Sequence, residues 1–343
     1  MCDPHSRNTQ HPGISLGSLL IIAAAGGVGG GNFASSMANI NTFYPERLKG
    51  WALGLNAGGG NIGVAVVQLV GLGVIAYSGA AHPKVVIGIY LPLIVLAVLG
   101  AALFMDNLST ARNDTRALRL ALREPQNWIM SFLYIGTFGS FIGYSFAFGL
   151  VLQNQFGFLP LQAAHWTFLG PLVGSLVRPL GGRLADRVGG AVVTSWTFIA
   201  MAAGCVVVIL AGNANSFGVY LVGFIALFVL SGIGNGSTYK MIPAIFRAKA
   251  SARIAAGADE RIELRTARRV SSAVIGLVSA VGALGGVLIN VAFRQSFLST
   301  HSGTSAMAGF LVFYAVCFGL TWAVYLRPAP VHSSRAVLAL AQV

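Results

Sequence analysis

Nine runs of about twenty or more largely apolar residues alternate with short connections containing Pro, Gly, Asn or charge, near 15–43, 50–77, 85–105, 127–153, 162–182, 191–211, 216–246, 270–293 and 307–326. Coiled as a helix, a run of that length matches the hydrocarbon thickness of a bilayer. The pattern therefore predicts an all-α polytopic membrane protein, a bundle of about nine transmembrane helices. Two runs contain clusters of glycine and amide: Gly29-Gly30-Gly31-Asn32-Phe33-Ala34-Ser35-Ser36-Met37-Ala38-Asn39 and Leu55-Asn56-Ala57-Gly58-Gly59-Gly60-Asn61-Ile62-Gly63. In lipid, glycine lets helices touch backbone to backbone. An amide at that depth needs a partner, so it faces protein, a pore or a ligand. A polar, closely packed centre inside an apolar shell suggests a transporter.

Composition narrows the class. The 343 residues are 55% apolar and 9% charged, against about 25% charged in a soluble domain. Cys2, Cys205 and Cys317 show no paired spacing, and the histidines are scattered. No metal or cofactor is expected, and no nucleophile–base pair suggests an enzyme. The net charge of +13 could suggest nucleic acid, but its placement excludes that partner. Basic residues gather on alternate connections: Arg47 and Lys49; Arg112, Arg116, Arg119 and Arg123; Arg183 and Arg187; seven between Arg247 and Arg269; then Arg327 and Arg335. The other connections hold only Arg7, Lys84 and Arg294.

By the positive-inside rule the basic set is cytoplasmic. The C-terminus is then inside, and Met1 outside, in a cell inner (plasma) membrane. Met1–Gly13 has no apolar core of its own, so it does not read as a signal peptide. An outside start looks like a larger transporter lacking an odd number of leading helices. The organisation read from the chain is an external segment (1–13), three helices (14–105), a cytoplasmic linker (106–126), a six-helix bundle (127–326) and a cytoplasmic tail (327–343). Residues 247–269 read as a solvated charged loop that fixes orientation, with a surface helix or a site for anionic lipid as the less favoured reading.

All nine acidic residues fall in loops or at span edges. No span carries a carboxylate near its middle, so no proton relay is visible and nothing would neutralise a cationic substrate. Arg178 is the one arginine well inside a span. Mid-helix arginine costs about 2.5–3.5 kcal/mol on insertion scales. Two readings stand: a guanidinium that binds an anion, or one that snorkels past Asp186 toward the interface. Lys240, near the cytoplasmic end of its span, reads as snorkelling. The loop Gly182-Arg183-Leu184-Ala185-Asp186-Arg187-Val188-Gly189-Gly190 is similar to the G-x-x-x-D-R-x-G-G loop of the major facilitator superfamily. There the Asp and Arg latch helix ends, which points to Gly182, Asp186, Arg187 and Gly190 as a gating loop.

From about residue 14 to 326 the chain resembles the nitrate/nitrite porter family of that superfamily. Its two signature segments appear as Ala57–Gly63, with Gly58, Gly60 and Gly63, and as Ser279-Ala280-Val281-Gly282-Ala283-Leu284-Gly285-Gly286. The resemblance implies the fourth through twelfth helices of a twelve-helix fold. It implies substrate contacts from Phe33, Asn61, Tyr134, Phe138, Arg178 and, by the second signature, Ser279. The family's other substrate arginine lies on its second helix, which has no counterpart in these residues. The implied substrates are nitrate and nitrite, exchanged by alternating access. Nitrate is flat, singly charged and weakly hydrated, so Arg, Asn and Tyr donors suit it and phenyl rings can wall its plane. Alternatives are nitrate–proton symport with the missing helices supplied, association with a separate N-terminal fragment, and a non-transporting remnant.

Overall fold

The computed structural model describes residues 15–27, 30–79, 82, 84–104 and 114–327. The segment 1–13, expected to be external, and nearly all of the tail 327–343 lie outside them. All regular structure among the described residues is helical. Among the described residues, seven continuous helical stretches are long and apolar enough to cross a membrane: Glu46–Ser78, Lys84–Phe104, Pro125–Phe156, Gly190–Asn213, Phe217–Ala255, Glu260–Thr300 and Thr304–Leu326. Of the other two expected spans, the one near 162–182 is divided, and the one near 15–43 includes residues 28 and 29, which lie outside the described residues.

The first run divides into α1 (Leu16–Gly27) and α2 (Gly31–Phe43). Glycine is among the poorest helix formers, and Gly26, Gly27, Gly29, Gly30 and Gly31 crowd this junction. After α3 (Lys49–Ser78), α4 (Lys84–Phe104) and the short α5 (Thr115–Arg123) come α6 (Pro125–Tyr134), a π-turn at Ile135–Gly139, and α7 (Ser140–Phe156). The fifth run is split into α8 (Pro160–Thr167), α9 (Leu169–Leu176) and α10 (Arg178–Val188). Pro171 and Pro179 have no N–H for the carbonyls of Thr167 and Ser175. Bonds from Leu172 N to Phe168 O and from Gly181 N to Val177 O carry the helix across both interruptions.

α11 (Gly190–Asn213), α12 (Phe217–Ala255), α13 (Glu260–Thr300) and α14 (Thr304–Thr321) complete the fold. The expected charged loop at 247–269 is mostly not a loop. α12 runs 39 residues and α13 runs 41, about 60 Å each at 1.5 Å per residue. That is about twice a bilayer core, so both helices extend beyond the membrane and leave only 256–259 between them. In the expected linker 106–126, Asp114 caps α5 by accepting from Ala117 N at 2.9 Å, while 105–113 lie outside the described residues.

α12 packs against α9, α10, α11 and α13 and forms the hub of the core. α4, by contrast, has no buried residue. Its all-round apolar surface suits lipid.

α3 lies against α9 and α10 along a stripe of glycines. A Cβ on Gly50 would stand 2.6 Å from the Gly182 carbonyl oxygen, one on Gly54 2.7 Å from that of Arg178, and one on Gly58 2.6 Å from that of Ser175. Only hydrogen fits there, which is why the backbones meet. The two glycine–amide segments also meet each other, since Asn56 Nδ2 donates to Ser36 Oγ at 2.9 Å.

Candidate functional site

Arg178 opens α10 immediately after the break at Val177, and its side chain is completely buried. It does not snorkel. Nη1 donates to the Ala57 carbonyl of α3 at 3.1 Å, a contact made across the glycine stripe. The guanidinium carbon lies 5.3 Å from the Phe138 ring centre and 4.8 Å from that of Phe141, within cation–π range. Nε and Nη2 have no partner, and among the described residues no carboxylate pairs with this charge. A buried guanidinium with two idle donors calls for a negative ligand.

Asn61, one turn beyond Ala57, donates from Nδ2 to the same carbonyl at 2.9 Å. Tyr134 immediately precedes the π-turn and Phe138 lies within it, with rings 5.0 Å apart at 19°. π-turns recur at functional sites because they shift which side chains share a face. Here the Ser140 hydroxyl donates to the Gly136 carbonyl at 2.7 Å, a local bond beside the altered ladder. Phe33, from α2, lies parallel to Phe138 with ring centres 6.0 Å apart. The buried Tyr134 hydroxyl is unpartnered. Five predicted residues thus converge: Phe33, Asn61, Tyr134, Phe138 and Arg178.

Ser279 reaches this cluster through a residue that sequence reasoning missed. Tyr239 of α12 sits 4.8 Å from the Tyr134 ring and 6.2 Å from Phe33, and its hydroxyl is 2.7 Å from Ser279 Oγ. Ser279 also donates to the Ile275 carbonyl at 2.6 Å, so Tyr239 is the donor of the pair. Phe141, beneath the guanidinium, was missed as well. The signal for Tyr239 was present: Asn235-Gly236-Ser237-Thr238-Tyr239 is a polar run inside an apolar helix. Both side-chain polar atoms of the buried Asn235 are also unpartnered.

The signature glycines divide by role. Gly58 belongs to the α3–α9 contact, Gly60 would make only ordinary contact with Phe33, and Gly63 faces nothing within 4 Å. In the second signature, a Cβ on Gly282 would be 2.4 Å from the Tyr134 ring, one on Gly285 2.8 Å from Gly139 Cα, and one on Gly286 2.7 Å from Ile142. These three press α13 onto the π-turn and α7, so they set the position of Tyr134 rather than line a cavity.

The segment expected as a gating loop lies at a joint of α3, α10 and α12. Asp186 accepts from the N–H groups of Gly50 and Trp51 at 3.0 and 2.8 Å, a carboxylate on the positive end of α3. Its cationic partner is Lys240, at 3.0 Å. Lys240 also donates to the Glu46 carbonyl at 2.6 Å, so it is a partly buried tether and not a snorkelling side chain. Arg187 is exposed and takes no part: it faces away from α3, one residue past Asp186 on the helix. Gly182 abuts Gly50, and Gly190 abuts Met241 of α12.

The chain matches the Major Facilitator Superfamily model over residues 12–258. It is 36% identical over 341 residues to the nitrate/nitrite transporter NarU of Salmonella typhimurium, covering 94% of this chain and 73% of the relative. With NarU of Escherichia coli it shares 37% identity, covering 93% and 72%. The probable nitrate/nitrite antiporter NarK2 of Thermus thermophilus is 33% identical, again over 93% and 72%. The E. coli fucose:proton symporter FucP shares the fold at 13% identity, with a TM-score of 0.56 over 84% of this chain and 72% of that one. The chain belongs to the Major Facilitator Superfamily and, within it, to the nitrate/nitrite porter family.

Proposed function

We propose that the chain carries nitrate and nitrite across the membrane by alternating access, exchanging one for the other. The observation that carries this reading is the buried guanidinium of Arg178, unneutralised by protein and holding Nε and Nη2 idle beside an unpartnered Tyr134 hydroxyl. A planar guanidinium offers two parallel hydrogen bonds to a planar oxyanion. Asn61 supplies an amide at the same carbonyl, and Phe33 and Phe138 are parallel walls. An ion held face to face between two rings needs about 7 Å, twice a carbon contact of about 3.5 Å. The rings therefore part slightly to admit it.

Exchange suits this chemistry. Either anion neutralises Arg178 during each reorientation, whereas the empty charge is costly to move through the closed state. Among the described residues, none of the buried polar groups is a carboxylate that could relay a proton. The joint of Asp186, Lys240 and the α3 N-terminus, on the face that the charge pattern assigns to the cytoplasm, closes that end. Residues 14–105 and 127–326 are read as the two moving parts. The C-terminus is taken as cytoplasmic in an inner (plasma) membrane.

Uptake of labelled nitrate into proteoliposomes tests the proposal. Internal nitrite should accelerate uptake, and an imposed proton gradient should not. Uptake driven by the gradient and indifferent to internal nitrite would replace exchange with symport. Loss of nitrate binding in Arg178→Lys would tie either mode to this site.

A further inference from the structure

Away from the transport path, a cavity of about 360 Å³ opens between α5 and the first turns of α13. It is lined by Arg116 and Leu120 from α5 and by Arg261, Ile262, Arg265 and Arg269 from α13. Arg261, Arg265 and Arg269 repeat every four residues, so they share one helix face. Like charges on one face repel, and cations in the opening turns of a helix oppose its dipole. Asp114 pairs with Arg269. That guanidinium and the Ala117 N–H hold the Asp114 carboxyl below the usual carboxylate range, so it stays ionised and answers one of the four charges. Among the described residues, no carboxylate pairs with Arg116, Arg261 or Arg265.

The surroundings say which anion fits. Leu120 and Ile262 on the cavity wall are 43% and 64% exposed. Nearby, Trp128 in the first turn of α6 is half exposed, with Nε1 donating to the Leu122 carbonyl at 3.1 Å. Tryptophan marks the level of the lipid headgroups. Charge inside an apolar rim at that level matches a molecule with a phosphate at one end and hydrocarbon at the other. We propose that this cavity binds the phosphate headgroup of an anionic phospholipid, with the arginines on the phosphate oxygens and Leu120 and Ile262 against the acyl chains. Guanidinium groups bind phosphate in pairs of parallel bonds, and basic pockets beside membrane helices take such headgroups. A bound lipid would join α5 to α13. The proposal is independent of the nitrate site.

Native mass spectrometry and thermal unfolding of the purified full chain would test it, using phosphatidylglycerol, phosphatidylcholine and inorganic phosphate as probes. Phosphatidylglycerol should bind and stabilise, phosphatidylcholine should not, and inorganic phosphate should compete only weakly. The pair Arg261→Gln with Arg265→Gln should weaken phosphatidylglycerol binding about thirtyfold. Arg119→Gln with Arg268→Gln removes the same charge outside the cavity wall and should change it less than about threefold. Nitrate binding should persist in both variants, which shows that they fold. Equal loss in both pairs would reduce the effect to overall charge and overturn the site. Tight binding of inorganic phosphate without lipid would overturn the lipid assignment.

Discussion

Arg178 and Asn61 share one acceptor: the Ala57 carbonyl oxygen takes Nη1 at 3.1 Å and Nδ2 at 2.9 Å. The two side chains come from helices more than a hundred residues apart, and a backbone group fixes both. The remaining guanidinium donors are left idle. Binding and stability therefore pull in opposite directions at this position.

Arg178→Gln should raise the melting temperature of the ligand-free protein while abolishing the further rise on adding nitrate, because it removes a buried charge that lacks a counterion. Arg178→Lys keeps the charge but loses the planar fork. It should weaken nitrate binding by about 1.5–3 kcal/mol, the worth of a lost hydrogen bond to a charged group. Calorimetric titration and thermal unfolding read the two effects separately.

Tyr134→Phe and Tyr239→Phe should differ in the property they change. The Tyr134 hydroxyl bonds to nothing in the ligand-free protein, so its removal should leave stability unchanged and lower nitrate affinity. The Tyr239 hydroxyl donates to Ser279, and its removal should cost about 0.5–1.5 kcal/mol of stability. Equal melting temperatures for the two variants would contradict this assignment.

Gly58→Ala should destabilise by about 1–3 kcal/mol, because its methyl meets the Ser175 carbonyl at 2.6 Å inside a packed contact. Gly63→Ala, on the same helix and in the same signature, meets open space and should be neutral or stabilising. Thermal unfolding in detergent checks the pair, and nitrate uptake should be lost only in the first.

Asp186→Asn and Lys240→Met should each cost about 3–5 kcal/mol, since each takes the counter-ion from a largely buried charge and leaves it only its backbone hydrogen bonds. The double variant should recover much of the loss. Arg187→Gln should stay within about 0.5 kcal/mol of the parent protein, as surface substitutions do. A double-mutant cycle measures the coupling directly. A large effect at Arg187 would return the latch to the arrangement expected from the loop motif.

Several features were legible before any coordinates. The apolar runs fixed the helical class, and the glycine–amide segments marked where helices touch. Proline divides one span that hydropathy alone reads as a single run: Pro171 and Pro179 break its bonding. The length of α12 and α13 was hidden by their charged ends, since hydropathy reports lipid contact and is silent on helices that continue into water. The motif at Gly182–Gly190 pointed to Asp186 and Arg187, whereas the folded Asp186 pairs with Lys240. Sequence spacing places Arg187 beside Asp186 along the chain but does not say which cation the folded carboxylate faces.

The sequence by itself determined that this chain lives in lipid, which face carries the positive charge, and which residue types could hold an anion. Those follow from transfer energies that each residue carries wherever it sits. Tertiary structure alone decided that Arg178 is sealed between Phe138 and Phe141, that Tyr239 joins the cluster, and that four arginines line a cavity between α5 and α13. These depend on helices distant in sequence meeting at ångström range, where hydrogen bonds and cation–π contacts switch on and off.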